Sequence, residues 1–195
     1  MTTEIPKTRG RPRRFDPDQA LAAAQPLFHA QGYDAVSVAD LTKALGINPP
    51  SFYAAFGSKA ELYSRILDRY AVTGGVQLQH ILRADRPVGE CLSEVLVVAA
   101  RTYANPEASG CMVLEGTRSN EAQAREAACV IHVAAQDAIR RFIAQRHPED
   151  ADRLTDFVCT TMAGLSASAR HGQSKERLEA TARIAGAALM QACGS

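Results

Sequence analysis

Tryptophan is absent from this chain, and aromatic residues of all kinds make up only 6% of it. The alternation of Val, Thr and Tyr with polar residues that marks half-buried strands is missing almost throughout. Ala and Leu instead dominate an apolar fraction of 46%. A sheet-built fold is thereby disfavoured and an all-α one expected. No apolar run approaches the ~18 residues needed to span a bilayer, and the basic N-terminal stretch is not followed by the hydrophobic segment of a secretory signal. The expectation is a cytoplasmic protein with no membrane partner. The five cysteines, Cys91, Cys111, Cys129, Cys159 and Cys193, are odd in number, scattered, and never in Cys-x-x-Cys spacing, which reads as reduced thiols. The five histidines, His29, His80, His132, His147 and His171, are equally dispersed, so no metal site is expected. No Gly-x-Ser-x-Gly, matched Cys/His signature or phosphate-binding glycine motif occurs. Neither an enzyme nor a cofactor is expected.

A large charge imbalance is also lacking. The formal net charge is +1, so any affinity for nucleic acid must come from local charge. Position supplies it: Lys7, Arg9, Arg11, Arg13 and Arg14 are opposed only by Glu4, in a stretch with no apolar periodicity. Residues 1–14 read as a disordered basic arm.

Past the arm, the chain is punctuated helix by helix. Asp16-Pro17 is a cap followed by the one helical residue type that needs no donor, and Leu21, Ala24, Leu27 and Phe28 recur on one face until Gly32. Ser37 opens a second helix with Asp40 in the reciprocal position of a capping box, and Val38, Leu41 and Leu45 are its inward stripe. Gly46 supplies the left-handed stop, Ile47 plugs the core, and Asn48-Pro49 caps and begins a third helix. Only about four residues separate two short helices, the plan of a helix-turn-helix. The third helix turns Phe52 and Phe56 inward and ends at Gly57. Ser58 with Glu61 then launches a long fourth helix, lined by Leu62, Ile66, Leu67 and Tyr70, that Gly74-Gly75 ends or kinks. Beyond Pro87, helices are expected over 88–104, 108–118, 120–146, 150–172 and 175–193, with Pro106, Pro148 and Gly172 as breakers.

A helix-turn-helix lays its second helix in the major groove and must expose small or polar groups there. Asn48, Ser51 and Ala55 are candidates to face the groove. Asn48 can pair with adenine or phosphate, Ser51 with either, and Pro50 and Ala54 can touch a thymine methyl. Capping alone also explains Asn48 and Ser51. This helix carries no Lys or Arg, so phosphate neutralisation falls to the arm (Arg9, Arg11 and Arg13), to Lys43, and to Lys59 in the first turn of the fourth helix. The hydroxyls of Ser37 and Tyr53 are further phosphate donors.

The run Ser37-Val38-Ala39-Asp40-Leu41 through Ala44-Leu45-Gly46-Ile47, then Ser51-Phe52-Tyr53-Ala54-Ala55-Phe56-Gly57-Ser58-Lys59-Ala60-Glu61-Leu62, resembles the tetracycline-repressor (TetR) family signature. The resemblance implies a ligand-controlled repressor of double-stranded operator DNA, a homodimer through its last two long helices, in which Tyr53 and Lys59 contact backbone phosphates. Pro49-Pro50 departs from many members and removes two backbone donors at the helix start. The chain accordingly divides into the arm at 1–14, a helix-turn-helix domain at 15–60 and a ligand-binding and dimerisation domain at 61–195.

In the body the residues say less. Ala163, Gly164, Ala167 and Ala169 in one helix, and Ala180, Ala182, Ala185, Gly186, Ala187 and Ala188 in the next, let helices approach closely. Such helices suit a four-helix dimer interface or the closure of the monomer's own core. A small-molecule effector would bind between the middle helices, where Tyr103, Cys111, Met112, Glu115, His132, Gln136, Phe157 and Thr161 are candidates. Ser109-Gly110-Cys111 at an expected helix start also suits a thiol-based redox or electrophile sensor. That reading, a metal sensor and a non-DNA helical interaction module are the alternatives; a small buried hydrophobe is the plain reading of Cys111.

Overall fold

The first helix, α1 (Pro17–Gln31), begins where Asp16 accepts hydrogen bonds from the backbone N–H groups of Asp18 and Gln19. The computed structural model describes residues 16–194; the basic arm lies outside the described residues. Pro26 sits inside α1 on its exposed side without ending it. An internal proline costs roughly 3 kcal/mol, and the burial of Ala24, Phe28 and His29 on the opposite face outweighs it. The next helices are α2 (Val38–Leu45) and α3 (Pro49–Phe56). They pack with α1 and the first turns of α4 (Lys59–Thr73) around Phe28, Tyr33, Leu41, Phe52, Phe56 and Tyr63. Phe28, Tyr33 and Tyr63 form an aromatic cluster with ring centroids 4.9 to 6.0 Å apart.

Gly74 and Gly75 both donate to the Tyr70 carbonyl, at 2.9 and 2.8 Å, and stop α4. The apolar pattern beyond them becomes a separate single turn, α5 (Leu78–Ile81). The body is completed by α6 (Val88–Tyr103), α7 (Met112–Gly116), α8 (Ala122–Ala144), α9 (Ala151–Arg170) and α10 (Lys175–Ala192), with a 3-10 turn over Pro148–Asp150. Among the described residues there is no strand, as expected of an all-α chain. No helix among them is long and apolar enough to cross a membrane.

The helix expected over 108–118 is only five residues long. Residues 105–110 are spent on a turn in which Asn105 accepts from the Glu107 backbone N–H and from the Ser109 hydroxyl, and Gly110 adopts a φ of 79°. The small residues of α10 serve two faces. Ala182 and Gly186 are buried together with Leu178 and Leu189, against α6, where a Cβ on Gly186 would collide with the Ser93 side chain. Ala180, Thr181, Ile184, Ala187 and Ala188 point outward.

Candidate nucleic-acid interface and body cavity

Local hydrogen bonding fixes the turn between α2 and α3. The Ser37 hydroxyl accepts from the Asp40 N–H at 3.1 Å, and the Asp40 carboxylate accepts from the Ser37 N–H at 2.9 Å. This is the reciprocal cap expected from the residues. Hydrogen bonds from the Ser37 hydroxyl and N–H also hold the Asp40 carboxyl below the usual carboxylate pKa. Gly46 takes the left-handed conformation at φ 65° and ψ 30°, and Ile47 donates to the Thr42 carbonyl at 3.1 Å. Asn48 then caps α3, its Oδ1 accepting from the Ser51 N–H at 2.9 Å.

With Phe52 and Phe56 buried, α3 presents Asn48, Pro49, Pro50, Ser51, Tyr53 and Ala54 to solvent. Tyr53 is 52% exposed and rests edge-on against Phe52, with ring centroids 5.4 Å apart. Ala55 is a correction: it is half-buried and packs on the core, so it does not face outward. Lys43 is exposed on α2. Lys59 is more committed than its place in the sequence suggests. Its Nζ donates to the carbonyls of Tyr33, at 3.1 Å, and Val36, at 3.0 Å, and lies 3.9 Å from the centroid of the Tyr33 ring. An ammonium carries three donors, so one proton is left for an outside acceptor. Arg9, Arg11 and Arg13 lie outside the described residues.

Helix α1 is tied to the body at several points. His29, 7% exposed, donates from Nε2 to the Gly110 carbonyl at 3.1 Å and meets the Tyr70 ring edge-on at 5.2 Å. Burial, with Arg170 nearby, holds the His29 pKa below its ordinary value against the opposing effect of that hydrogen bond. Arg170 on α9 donates to the His29 carbonyl at 3.0 Å and stands at ion-pair distance, 3.3 Å, from Glu115. Ser166 accepts from the Cys111 N–H at 2.9 Å. Past the end of α1, the Tyr33 hydroxyl donates to Glu121, and Asp34 accepts from the Asn120 N–H at 3.0 Å.

Directly behind this joint lies a cavity of about 640 Å³, walled by the end of α4, by α5, α8 and α9, and by residues around Tyr103 and Cys111. Of the expected ligand residues, Tyr103, Cys111, His132 and Gln136 line it. Met112, Glu115, Phe157 and Thr161 lie outside its lining, each for a visible reason. Met112 is buried with its carbonyl accepting from Tyr63 at 3.4 Å. Glu115 turns to Arg170 and a smaller cavity of about 180 Å³. Phe157 projects outward from α9, and the Thr161 hydroxyl donates back to the Phe157 carbonyl at 2.7 Å. Tyr70, Phe142, Cys159 and Met162, which sequence reasoning did not assign to a site, also line the main cavity.

The Tyr70 and Tyr103 phenols are pushed above their ordinary pKa, chiefly by burial. Burial lowers that of His132. Cys159 is raised by burial against a hydrogen bond from Gln136. All five cysteines are free thiols. Among the described residues no three His, Cys, Asp or Glu side chains gather as a metal site.

Residues 20–66 match the family described as "Bacterial regulatory proteins, tetR family". The chain is 56% identical to the HTH-type transcriptional repressor BdcR of Escherichia coli (strain K12) over 190 residues, covering 97% of this chain and 96% of that protein. It is 29% identical to the HTH-type transcriptional repressor ComR of the same organism, covering 95% and 92%. Among solved structures, a cysteine mutant of the TetR family transcriptional regulator CifR, complexed with 26-bp double-strand operator DNA, superposes with a TM-score of 0.80. It is 32% identical and covers 91% of this chain and 99% of that one. A reduced form of E. coli NemR, 15% identical with a TM-score of 0.70, shares the fold. A capped helix-turn-helix carried on a larger helical body, and more than half its residues shared with a repressor along nearly its whole length, establish that this chain belongs to the tetR family of bacterial regulatory proteins, as a DNA-binding transcriptional repressor and not an enzyme.

Proposed function

We propose that the protein is a cytoplasmic homodimer that holds a palindromic operator through two α3 helices and is released by a small molecule entering the body cavity. In this reading residues 1–14 are the basic arm, 15–60 the DNA-binding domain and 61–195 the ligand-binding and dimerisation domain. Asn48, Pro50, Ser51 and Ala54 meet base edges. Tyr53, Lys43, the third proton of Lys59, the Ser37 hydroxyl and the arm's Arg9, Arg11 and Arg13 meet phosphates and the minor groove. A related regulator, CifR, has been seen on operator DNA, which supports the placement.

The outer faces of α9 and α10 support dimerisation. Ile184, 75% exposed, stands on α10 with Ala187 and Ala188, while Phe157 and Gly164 stand outward on α9. Apolar and small residues together on the outer faces of two long helices suit close packing against a second copy. Two heads at fixed spacing also supply the affinity that one short half-site lacks.

The observation that carries effector control is the position of α4. Its first turn holds Lys59 against the Tyr33–Val36 elbow beside α2, and its last turn puts Tyr70 in the cavity wall and against His29 of α1. A ligand that shifts Tyr70 therefore shifts the head. Operator affinity falls by the ratio of the ligand's affinities for the two head spacings. The test recovers genomic fragments retained by purified protein, defines the operator by gel-shift titration, and measures mass in solution. Absence of sequence-selective binding at modest ionic strength, or a monomer at operator-binding concentration, overturns this reading.

A further inference from the structure

The lining of the main cavity changes character with depth. Its buried members include Tyr103, Val113, Ile139 and Phe142, all apolar or aromatic. Its solvent-exposed members are Gln79, Ala134, Arg141 and Gln145, of which three are polar and one of those is cationic. No Asp or Glu belongs to the lining. His132, half-buried in the wall, has its pKa lowered by burial and is a neutral ring at pH 7. Arg141 is therefore the single charged side chain in the lining, and it stands where the cavity meets water.

That guanidinium is also uncommitted. Asp137 lies one helical turn before it on α8, the spacing at which carboxylates and arginines pair. Yet among the described residues the Arg141 side chain makes no ion pair or hydrogen bond. The preceding residue, Arg140, is by contrast held by Asp152 at 2.5 Å. A cation entering the cavity would meet this positive charge and no carboxylate. An uncharged molecule could fill the apolar depth but would leave the five donors of the guanidinium to water. An anionic head on an apolar body answers both parts of the lining. The body takes the depth, and the head stays at the exposed rim, where it avoids the desolvation that penalises a buried charge. The volume of about 640 Å³ falls within the roughly 300–1,000 Å³ of ordinary small-molecule sites.

We propose that the cavity takes an amphipathic monoanion, an apolar aryl or alkyl body ending in a carboxylate, with the body among the buried walls and the carboxylate on Arg141. This rests on the reading of the cavity as the effector site, and it names the effector's chemical class.

Three probes share one body and differ in the head: 4-phenylbutyrate, 4-phenyl-1-butanol and 4-phenylbutylamine. Each is titrated calorimetrically into the full-length protein without DNA, at low and at high salt. At low salt the carboxylate should bind about two- to fivefold more tightly than the alcohol, the worth of an exposed ion pair, and the amine more weakly than either. High salt should shrink that advantage. Phenylacetate, two methylenes shorter, should bind about tenfold more weakly than 4-phenylbutyrate. Arg141→Gln should bring carboxylate and alcohol level without changing the alcohol, and Arg141→Glu should reverse the order of carboxylate and amine. Ala135→Trp, which places an indole in the wall, should weaken all three probes, with thermal melting to show that the variant folds. The inference is overturned if the alcohol or the amine matches the carboxylate, if the carboxylate's advantage survives Arg141→Gln, or if no probe binds. It is also overturned if folded Ala135→Trp protein binds all three as the parent does, since the probes would then sit outside the cavity. A gel shift with the same probes is scored separately. Arg141-dependent binding without operator release leaves the chemical class standing and removes the effector reading, whereas release by the alcohol as readily as by the carboxylate does the opposite.

Discussion

Replacing His29 by Phe keeps a ring of similar size against Tyr70 but removes the donor to Gly110. The Gly110 carbonyl would then be left unmet inside the protein, a loss of about 1–3 kcal/mol. For a domain of this size each kcal/mol moves the melting temperature by roughly 2–4 °C. Acid makes the test sharper. The folded-state pKa of His29 lies below the ordinary 6.5, chiefly through burial, so as the pH falls through 6.5 the unfolded chain gains a proton that the folded chain refuses. Stability is full above that pH and declines below it. His132 acts in the same direction, so the acid slope of the parent should be reduced in His29→Phe and not erased. Urea unfolding at pH 7.5 and 5.5, at one protein concentration because a dimer's stability depends on it, measures both effects. A variant as stable as the parent at pH 7.5, or one with undiminished acid sensitivity, refutes the assignment of His29 as a neutral, donating joint between α1 and the body.

Lys59→Met should lower stability by about 1 kcal/mol or more by stranding two carbonyls. It should also weaken operator binding alike on all sequences, with the salt dependence of binding reduced by about one counterion; an unchanged salt slope would assign the lysine to scaffolding alone. Asn48→Ala should cost about 1 kcal/mol through the lost cap and change base preference at one operator position. Asn48→Ser should restore the cap but not the preference, and competition gel shifts on singly substituted operators would show whether it does. Gly186→Val should force α10 from α6 at a cost of roughly 1–3 kcal/mol, seen as a lower melting temperature in thermal scans.

The head was legible because its helices are bounded by side chains with one job each. Asp16, Ser37, Asn48 and Ser58 all cap where their residue types and spacing indicate. In the body, α6, α7 and α8 begin at Pro87, Cys111 and Glu121 with no side-chain cap, and the expected boundary at 108 failed because a turn around Asn105 took the residues first. The cavity was harder still. Periodicity shows that Tyr70 points inward from α4, but not that the residue walls an open space; that depends on how far α8 stands from α4 and α6. For the same reason Phe157 and Thr161, polar or aromatic on a middle helix, looked like wall residues until the rotation of α9 turned them away. The structural role of Lys59 was hidden for a different reason, since nothing in its neighbourhood in sequence reveals two carbonyls brought to it from residues 33 and 36.

The elbow from Tyr33 to Val36 is held from two directions: Lys59 grasps its carbonyls from within, while Glu121 and Asn120 at the start of α8 fasten Tyr33 and Asp34 from the far side. Lys59, the phosphate contact proposed above, and the helix that roofs the cavity thus share one small hinge-plate of backbone. A tug on α8 would slacken the seat of that cation, so a signal could reach the DNA without any base-reading side chain changing its own conformation.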